Sequence, residues 1–192
     1  MKNSSIFYVA ISCSIALLLV LAGPVEAAKK KIKSEDLTNF LLSPRYSRWL
    51  VGPISHMASP EEIKGYLALS SDADAEAFVS EFWSSRGGEA VWPATNKRTI
   101  FDSRVEEADK YYTEGAIRGS ATDRGTIYVL YGPPQQTKYE APPRNLGEPI
   151  EIWAYAASEV EGLDGSAPER FYYFRKDGDQ TSIYLGPKRR VR

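Results

Sequence analysis

A chain of 192 residues with one cysteine and one histidine has few of the side chains that make nucleophiles and metal ligands. Cys13 lies inside an apolar stretch near the N-terminus. If that stretch is removed, the remainder has no thiol and no disulfide, and its stability must come from packing. With His56 alone there is no His-rich metal site, and a Ser/His/Asp triad could use only that histidine. Ser55 beside it is not a nucleophile signal and no Gly-x-Ser-x-Gly elbow occurs, so His56 reads as an ordinary loop or pre-helix residue. Asp72-Ala73-Asp74-Ala75-Glu76 lacks the glycine and the distal glutamate of a calcium loop and reads as the acidic first turn of a helix. Gly162-Leu163-Asp164-Gly165 and Gly132-Pro133-Pro134 are too short to cradle phosphate. No cofactor and no metal site is therefore expected, and no internal repeat or low-complexity tract is present.

A positive balance is also missing. Residues 34–187 hold 15 Lys plus Arg against 24 Asp plus Glu, a net −9. Duplex binding needs phosphates neutralised over a broad face, so this body argues against a nucleic-acid partner. Basic residues gather at the ends, at Lys29, Lys30, Lys31 and Lys33 and at Lys188, Arg189, Arg190 and Arg192. Such ends can make peripheral contact with an anionic membrane surface, or serve as solvated tails.

What is present at the N-terminus reads as an export signal. Lys2 precedes an apolar run from Ile6 to Ala22, then Gly23-Pro24, then Val25-Glu26-Ala27 before Ala28, the form of a signal-peptidase site. The expected division is a signal peptide over 1–27, a basic flexible segment over 28–39, a single domain over 40–187 and a basic tail over 188–192. The expected location is periplasmic or extracellular. An uncleaved N-terminal anchor is the alternative, since the apolar run approaches the roughly 20 residues a spanning helix needs.

The domain divides into a helical half and a sheet half. Ser59-Pro60-Glu61-Glu62 combines an N-cap serine, a proline in the first turn and a glutamate at capping-box spacing, predicting a helix to about Ser70. Ser71-Asp72 can cap a second through Arg86, with Ala75, Phe78, Val79, Phe82 and Trp83 at spacings of three and four. A third is expected from about Asn96 to Glu114. Beyond Gly119 the pattern becomes strand-like, and Thr126–Tyr131, Ile150–Ala156, Arg170–Lys176 and Gln180–Leu185 are expected to form an antiparallel meander of about four strands. Asp177-Gly178-Asp179 is a hairpin signal between the last two. The Pro133–Pro149 link, with five prolines, is expected to be a loop and not a strand. The fold class is α+β, with N-terminal helices packed on a C-terminal β-meander.

The most specific segment is Gly119-Ser120-Ala121-Thr122-Asp123-Arg124-Gly125, followed by Thr126-Ile127-Tyr128-Val129-Leu130-Tyr131 and Gly132-Pro133-Pro134. It resembles the bacterial GWxTD domain, whose Gly-Trp-x-Thr-Asp signature is followed by Arg-Gly, a short aromatic strand and Gly-Pro-Pro. Glu81-Phe82-Trp83 with Arg86, Asn96, Arg104-Val105, Ala108 and Ile152-Trp153-Ala154-Tyr155 support the resemblance over roughly Tyr46 to Leu185. It implies an exported bacterial protein with no established enzymatic activity. Two departures stand out: Ser120 occupies the tryptophan position, and Ser84-Ser85-Arg86-Gly87-Gly88 replaces an Arg-Asp-Pro-like turn.

Thr122 and Asp123 can accept backbone N–H bonds in a tight turn, Arg124 can clamp a carboxylate with its planar fork, and Gly125 frees the chain to enter the expected strand. That describes a structural junction, although a ligand site would use the same groups. Strand alternation predicts a partly exposed aromatic face holding Tyr128, Trp153 and Tyr155 with Tyr172 and Tyr184, suited to stacking on sugars or peptide side chains, a cover by the N-terminal segment or the Pro133–Pro149 loop being equally economical. The candidate binding residues are thus Thr122, Asp123, Arg124, Tyr128, Trp153 and Tyr155. Together these features favour a noncatalytic binding domain of the bacterial cell envelope whose partner is a protein, peptide or glycan. A carboxylate-dependent hydrolase of polysaccharide and an envelope assembly factor are the alternatives.

Overall fold

The computed structural model describes residues 33–87, 96–141, 149–156, 161–177 and 181–186. The apolar leader, the basic tail, Gly88, the Pro142–Glu148 part of the proline-rich link and the Gly178–Gln180 turn lie outside the described residues. Order begins earlier than Phe40, with a 3-10 turn at Ser34–Leu37 whose Leu37 joins the core. Five helices follow: α1 (Ile54–Met57), α2 (Pro60–Leu67), α3 (Asp72–Ser84), α4 (Lys97–Tyr111) and α5 (Asp123–Tyr131). Four strands then pair consecutively as an antiparallel sheet, β1 (Gln136–Glu140), β2 (Ile150–Ala154), β3 (Phe171–Asp177) and β4 (Thr181–Tyr184). The protein is therefore α+β, helices first and a four-stranded meander last.

Capping residues set the helix starts. At α2 the Ser59 hydroxyl accepts from Glu62 N–H at 3.1 Å and the Glu62 carboxylate accepts from Ser59 N–H at 2.7 Å, the reciprocal bonds of a capping box. Ser71 caps α3 and Asn96 caps α4 in the same manner. Asn39, buried, donates from its amide to the carbonyls of Tyr66 and Leu69 at 3.0 and 2.9 Å, closing the C-terminal end of α2. Arg86 ties three segments. It pairs with Glu62 at 2.7 Å, donates to the Met57 and Phe82 carbonyls, and lies 3.7 Å from the Phe82 ring centroid. The helical half closes around Leu50, Tyr66, Phe82 and Trp83, all essentially buried.

Two expectations about the sheet half are corrected. Thr126–Tyr131 is helix α5, not a strand, and the short aromatic element after the motif is helical. Thr122 caps it by accepting from Gly125 N–H at 3.0 Å, and Gly132, at φ +80°, ends it. Gly125 through Leu130 are all buried, and a helix buried all round carries no polar stripe by which its period can be read. The first strand instead lies within the proline-rich link, at Gln136–Glu140, between the proline pairs. It is an edge strand with all five residues exposed, so hydrophobic alternation does not reveal it.

The third correction concerns the sheet's faces. Trp153, Tyr155, Tyr172 and Phe174 point toward α5 and are buried, Trp153 at 1% exposure. Tyr112 at the end of α4 sits 5.3 Å from both Tyr128 and Trp153, and Tyr131 packs on Tyr155 and Tyr172 at 6.2 and 5.9 Å. The opposite face carries Ile150, Ile152, Ala154, Tyr173 and Ile183 with the exposed Phe171 and Leu185, none of which joins this core cluster. The aromatic face is thus the one packed under the helices, while on the aliphatic face Ile152 is buried and its neighbours are partly exposed.

Candidate functional site

The motif residues meet where the N-terminus of α5 reaches the sheet. Gly119 and Gly125 make that approach possible. A Cβ on Gly125 would stand 1.8 Å from the Gly119 carbonyl oxygen, and one on Gly119 would stand 1.9 Å from that of Ala108. Any side chain at either position collides with backbone. Thr122, buried, accepts from Gly125 N–H and donates its hydroxyl to the Gly119 carbonyl at 2.7 Å, bracing the turn from inside. Ser120, at the signature tryptophan position, is 9% exposed, and its N–H donates to Asp109 Oδ1 at 2.8 Å.

Arg124 is the hub. One terminal nitrogen lies 2.5 Å from Glu114 Oε1 and the other 2.9 Å from Glu151 Oε2 on β2, while its guanidinium lies 5.5 Å from the Tyr112 ring centroid. Each carboxylate is held again on its second oxygen. Ser182 N–H donates to Glu114 Oε2 at 2.6 Å, and Trp153 Nε1–H donates to Glu151 Oε1 at 2.7 Å. Burial by itself disfavours the charged guanidinium, but Glu151 and Glu114 outweigh it and hold Arg124 above its ordinary pKa. Its buried Nε–H finds no hydrogen-bond partner among the described residues, so the fork works through its two terminal nitrogens.

Asp123 reaches the outermost strand, where its Oδ2 accepts from Tyr184 N–H at 2.8 Å. The register gives this bond its meaning. Leu185 N–H bonds the Tyr173 carbonyl directly opposite, so alternate residues of β4 face β3, and the amides of Ser182 and Tyr184 face outward. Those two edge donors are the ones taken by Glu114 and Asp123. A pair of carboxylates closes the β4 edge.

The far end of α5 is closed as firmly. Arg104 donates to the Val129 and Leu130 carbonyls, each at 3.0 Å, Tyr155 Oη donates to the Gly132 carbonyl at 2.8 Å, and Leu163 N–H donates to Leu130. Tyr128, its ring buried in the core, donates its hydroxyl to Glu107.

Of the six candidate binding residues, Thr122, Asp123, Arg124 and Trp153 converge on this junction, while Tyr128 and Tyr155 are core residues of its two flanks. The predicted aromatic face is not an exposed surface: Trp153, Tyr155 and Tyr172 are buried, Tyr128 is a buried residue of α5 itself, and Tyr184 is partly buried against the core. Glu114 and Glu151 were missed in the sequence. Arg124 signals that carboxylate partners exist, but Glu114 is a lone acid after a helix and Glu151 one of many, and only the fold brings them together. A shallow depression of about 160 Å³ adjoins Glu151, lined by Tyr139, Pro149, Phe174, Lys176 and Ser182. It is below the roughly 300 Å³ of ordinary small-molecule sites. Among the described residues no group of three or more His, Cys, Asp or Glu side chains is placed to hold a metal ion, and no helix is long and apolar enough to cross a membrane.

The profile of the GWxTD domain matches residues 28–180. No curated protein and no solved structure matches the chain.

Proposed function

The chain belongs to the GWxTD-domain family, and we propose that it is an exported, noncatalytic interaction domain of the bacterial cell envelope that takes up an extended protein segment along its sheet. The observation that carries this reading is the difference between the two sheet edges. The β4 edge has its outward amides bonded to Glu114 and Asp123. The β1 edge pairs with no other described strand, and its residues are exposed from Gln136 to Glu140. An open strand edge offers main-chain donors and acceptors in a row, the basis of recognition by strand addition.

The polar chemistry of the motif supports a scaffold role. Thr122, Asp123 and Arg124 bond to other parts of the fold, and the two acids that meet at Arg124 accept bonds on both oxygens. A hydrolase would need one of these acids to leave its donors and face substrate. Export is supported by the apolar run and the Val25-Glu26-Ala27 site before Ala28.

The test places a photoreactive residue at Thr137 or Tyr139 on β1, with Asp74 on the exposed surface of α3 as control, in the chain expressed in its own cells. Adducts from β1 alone, in an envelope fraction whose chain begins near Ala28, are expected. Adducts equally strong from Asp74, or a cytoplasmic chain retaining Met1, would overturn the reading.

A further inference from the structure

The hydrogen-bond phase of the sheet and the charge pattern of β1 together name an occupant for the open edge. Tyr155 N–H bonds the Arg170 carbonyl directly opposite, so Glu151, Trp153 and Tyr155 direct their main-chain groups to β3, and Ile150, Ile152 and Ala154 direct theirs to β1. Their β1 partners Gln136, Lys138 and Glu140 face β2. The outward main-chain groups of the edge therefore belong to Thr137, Tyr139 and Ala141.

Charge then distinguishes among partners. Lys138 and Glu140 flank Tyr139 symmetrically and lie on one face of the strand. A generic apolar strand docking here would leave both charges opposite uncharged side chains. An antiparallel copy of β1 centred on Tyr139 places Lys138 opposite Glu140 of the second copy, and Glu140 opposite its Lys138. Both pairs fall at positions where cross-strand side chains approach most closely. The same register sets Tyr139 against Tyr139 as a hydrogen-bonded pair and Thr137 against Ala141 on either side.

We propose that two copies of this chain join through β1, Tyr139 against Tyr139 on a two-fold axis, making one continuous eight-stranded sheet. The inference rests on the strand-addition reading above and specifies a second copy as the segment taken up. An interface built on the same patch of both subunits closes on itself, as a two-fold dimer requires. The guarded β4 edge forms the outer limit on each side, so the assembly stops at two.

The test is sedimentation of the chain as isolated from cells, over a range of concentrations. The wild type should move from its own mass to twice that mass. Tyr139→Pro should stay monomeric while its circular dichroism is unchanged, because position 139 directs its N–H away from β2 and proline is tolerated there. Lys138→Glu and Glu140→Lys should each weaken the dimer at least about tenfold, and the double exchange should return it to within roughly threefold of wild type. A wild type monomeric at every concentration overturns the proposal, as does a dimer that survives Tyr139→Pro or a double exchange that fails to recover. If the chain is monomeric yet Thr137 and Tyr139 crosslink to a different protein, the second copy is refuted and the strand-addition function stands. If β1 yields no adduct of any kind, both fall.

Discussion

Removing the Arg124 side chain is the sharpest perturbation of the junction. In Arg124→Ala the guanidinium that neutralises Glu114 and Glu151 is lost, while both carboxylates stay where Ser182 N–H and Trp153 Nε1–H hold them. Breaking a buried ion pair by deleting one partner costs about 3–5 kcal/mol. Here the side chains retain 20% exposure at Arg124, 14% at Glu151 and 6% at Glu114, so solvent offsets part of that cost. The expected loss is about 2–4 kcal/mol, a drop in melting temperature of roughly 5–15 °C for a domain of this size. Arg124→Lys keeps the charge but not the fork, cannot bridge both acids, and should lose about half as much. Urea unfolding followed by tryptophan emission and far-ultraviolet circular dichroism measures all three proteins. A double-mutant cycle of Arg124→Met with Glu114→Gln should give a coupling of at least about 1 kcal/mol. If Arg124→Ala unfolds within about 0.5 kcal/mol of wild type, the junction does not hold the fold and the reasoning fails.

Gly125→Ala, which drives a methyl group into the Gly119 carbonyl, should cost upwards of about 3 kcal/mol or prevent folding, seen as lost soluble yield and a lowered unfolding midpoint. Asp123→Ala removes the acceptor of Tyr184 N–H and should cost about 1–2 kcal/mol, whereas Asp123→Asn, which keeps an oxygen there, should recover much of it. Burial alone would raise the carboxyls of Glu62 and Asp109, but the bonds from Arg86 and Ser59 N–H to the first, and from Ser120 N–H and Arg118 to the second, hold both below the ordinary range. Depressed folded-state pKa values stabilise above the unfolded pKa, so this contribution should be complete above about pH 5 and be lost as pH falls through 4 and below. Chemical denaturation against pH should show that acid limb, and Glu62→Gln should flatten it.

The sequence carried the helical half in its caps: Ser59 with Glu62, Ser71 and Asn96 each sit at the start that the structure shows. Strands β2, β3 and β4 were legible because each is half-buried and alternates. The misreading at α5 has a definite cause. Thr-Ile-Tyr-Val-Leu-Tyr is rich in β-branched and aromatic residues, and a short apolar run cannot be assigned by periodicity. The helix signals lay at its ends, in Thr122 as cap and Gly132-Pro133 as stop. The inverted sheet face followed from treating tyrosines as surface residues. Their hydroxyls are satisfied in place, Tyr155 by donating to the Gly132 carbonyl and Tyr172 by accepting from Glu169 N–H, so the rings can be buried. Arg124 was readable as a junction residue, whereas its partners depend on strand register and on the turn after α4.

One edge of the sheet is closed by carboxylates of the motif region, and the other, on the function proposed above, takes up a strand. Backbone amide exchange in dilute full-length chain reads both edges at once. The amides of Ser182 and Tyr184, bonded to Glu114 and Asp123, should exchange slowly, and those of Thr137 and Tyr139 should exchange near the rate of an unprotected amide. Fast exchange at Ser182 and Tyr184, with protection at Thr137 and Tyr139 even at the lowest concentration, would contradict the account.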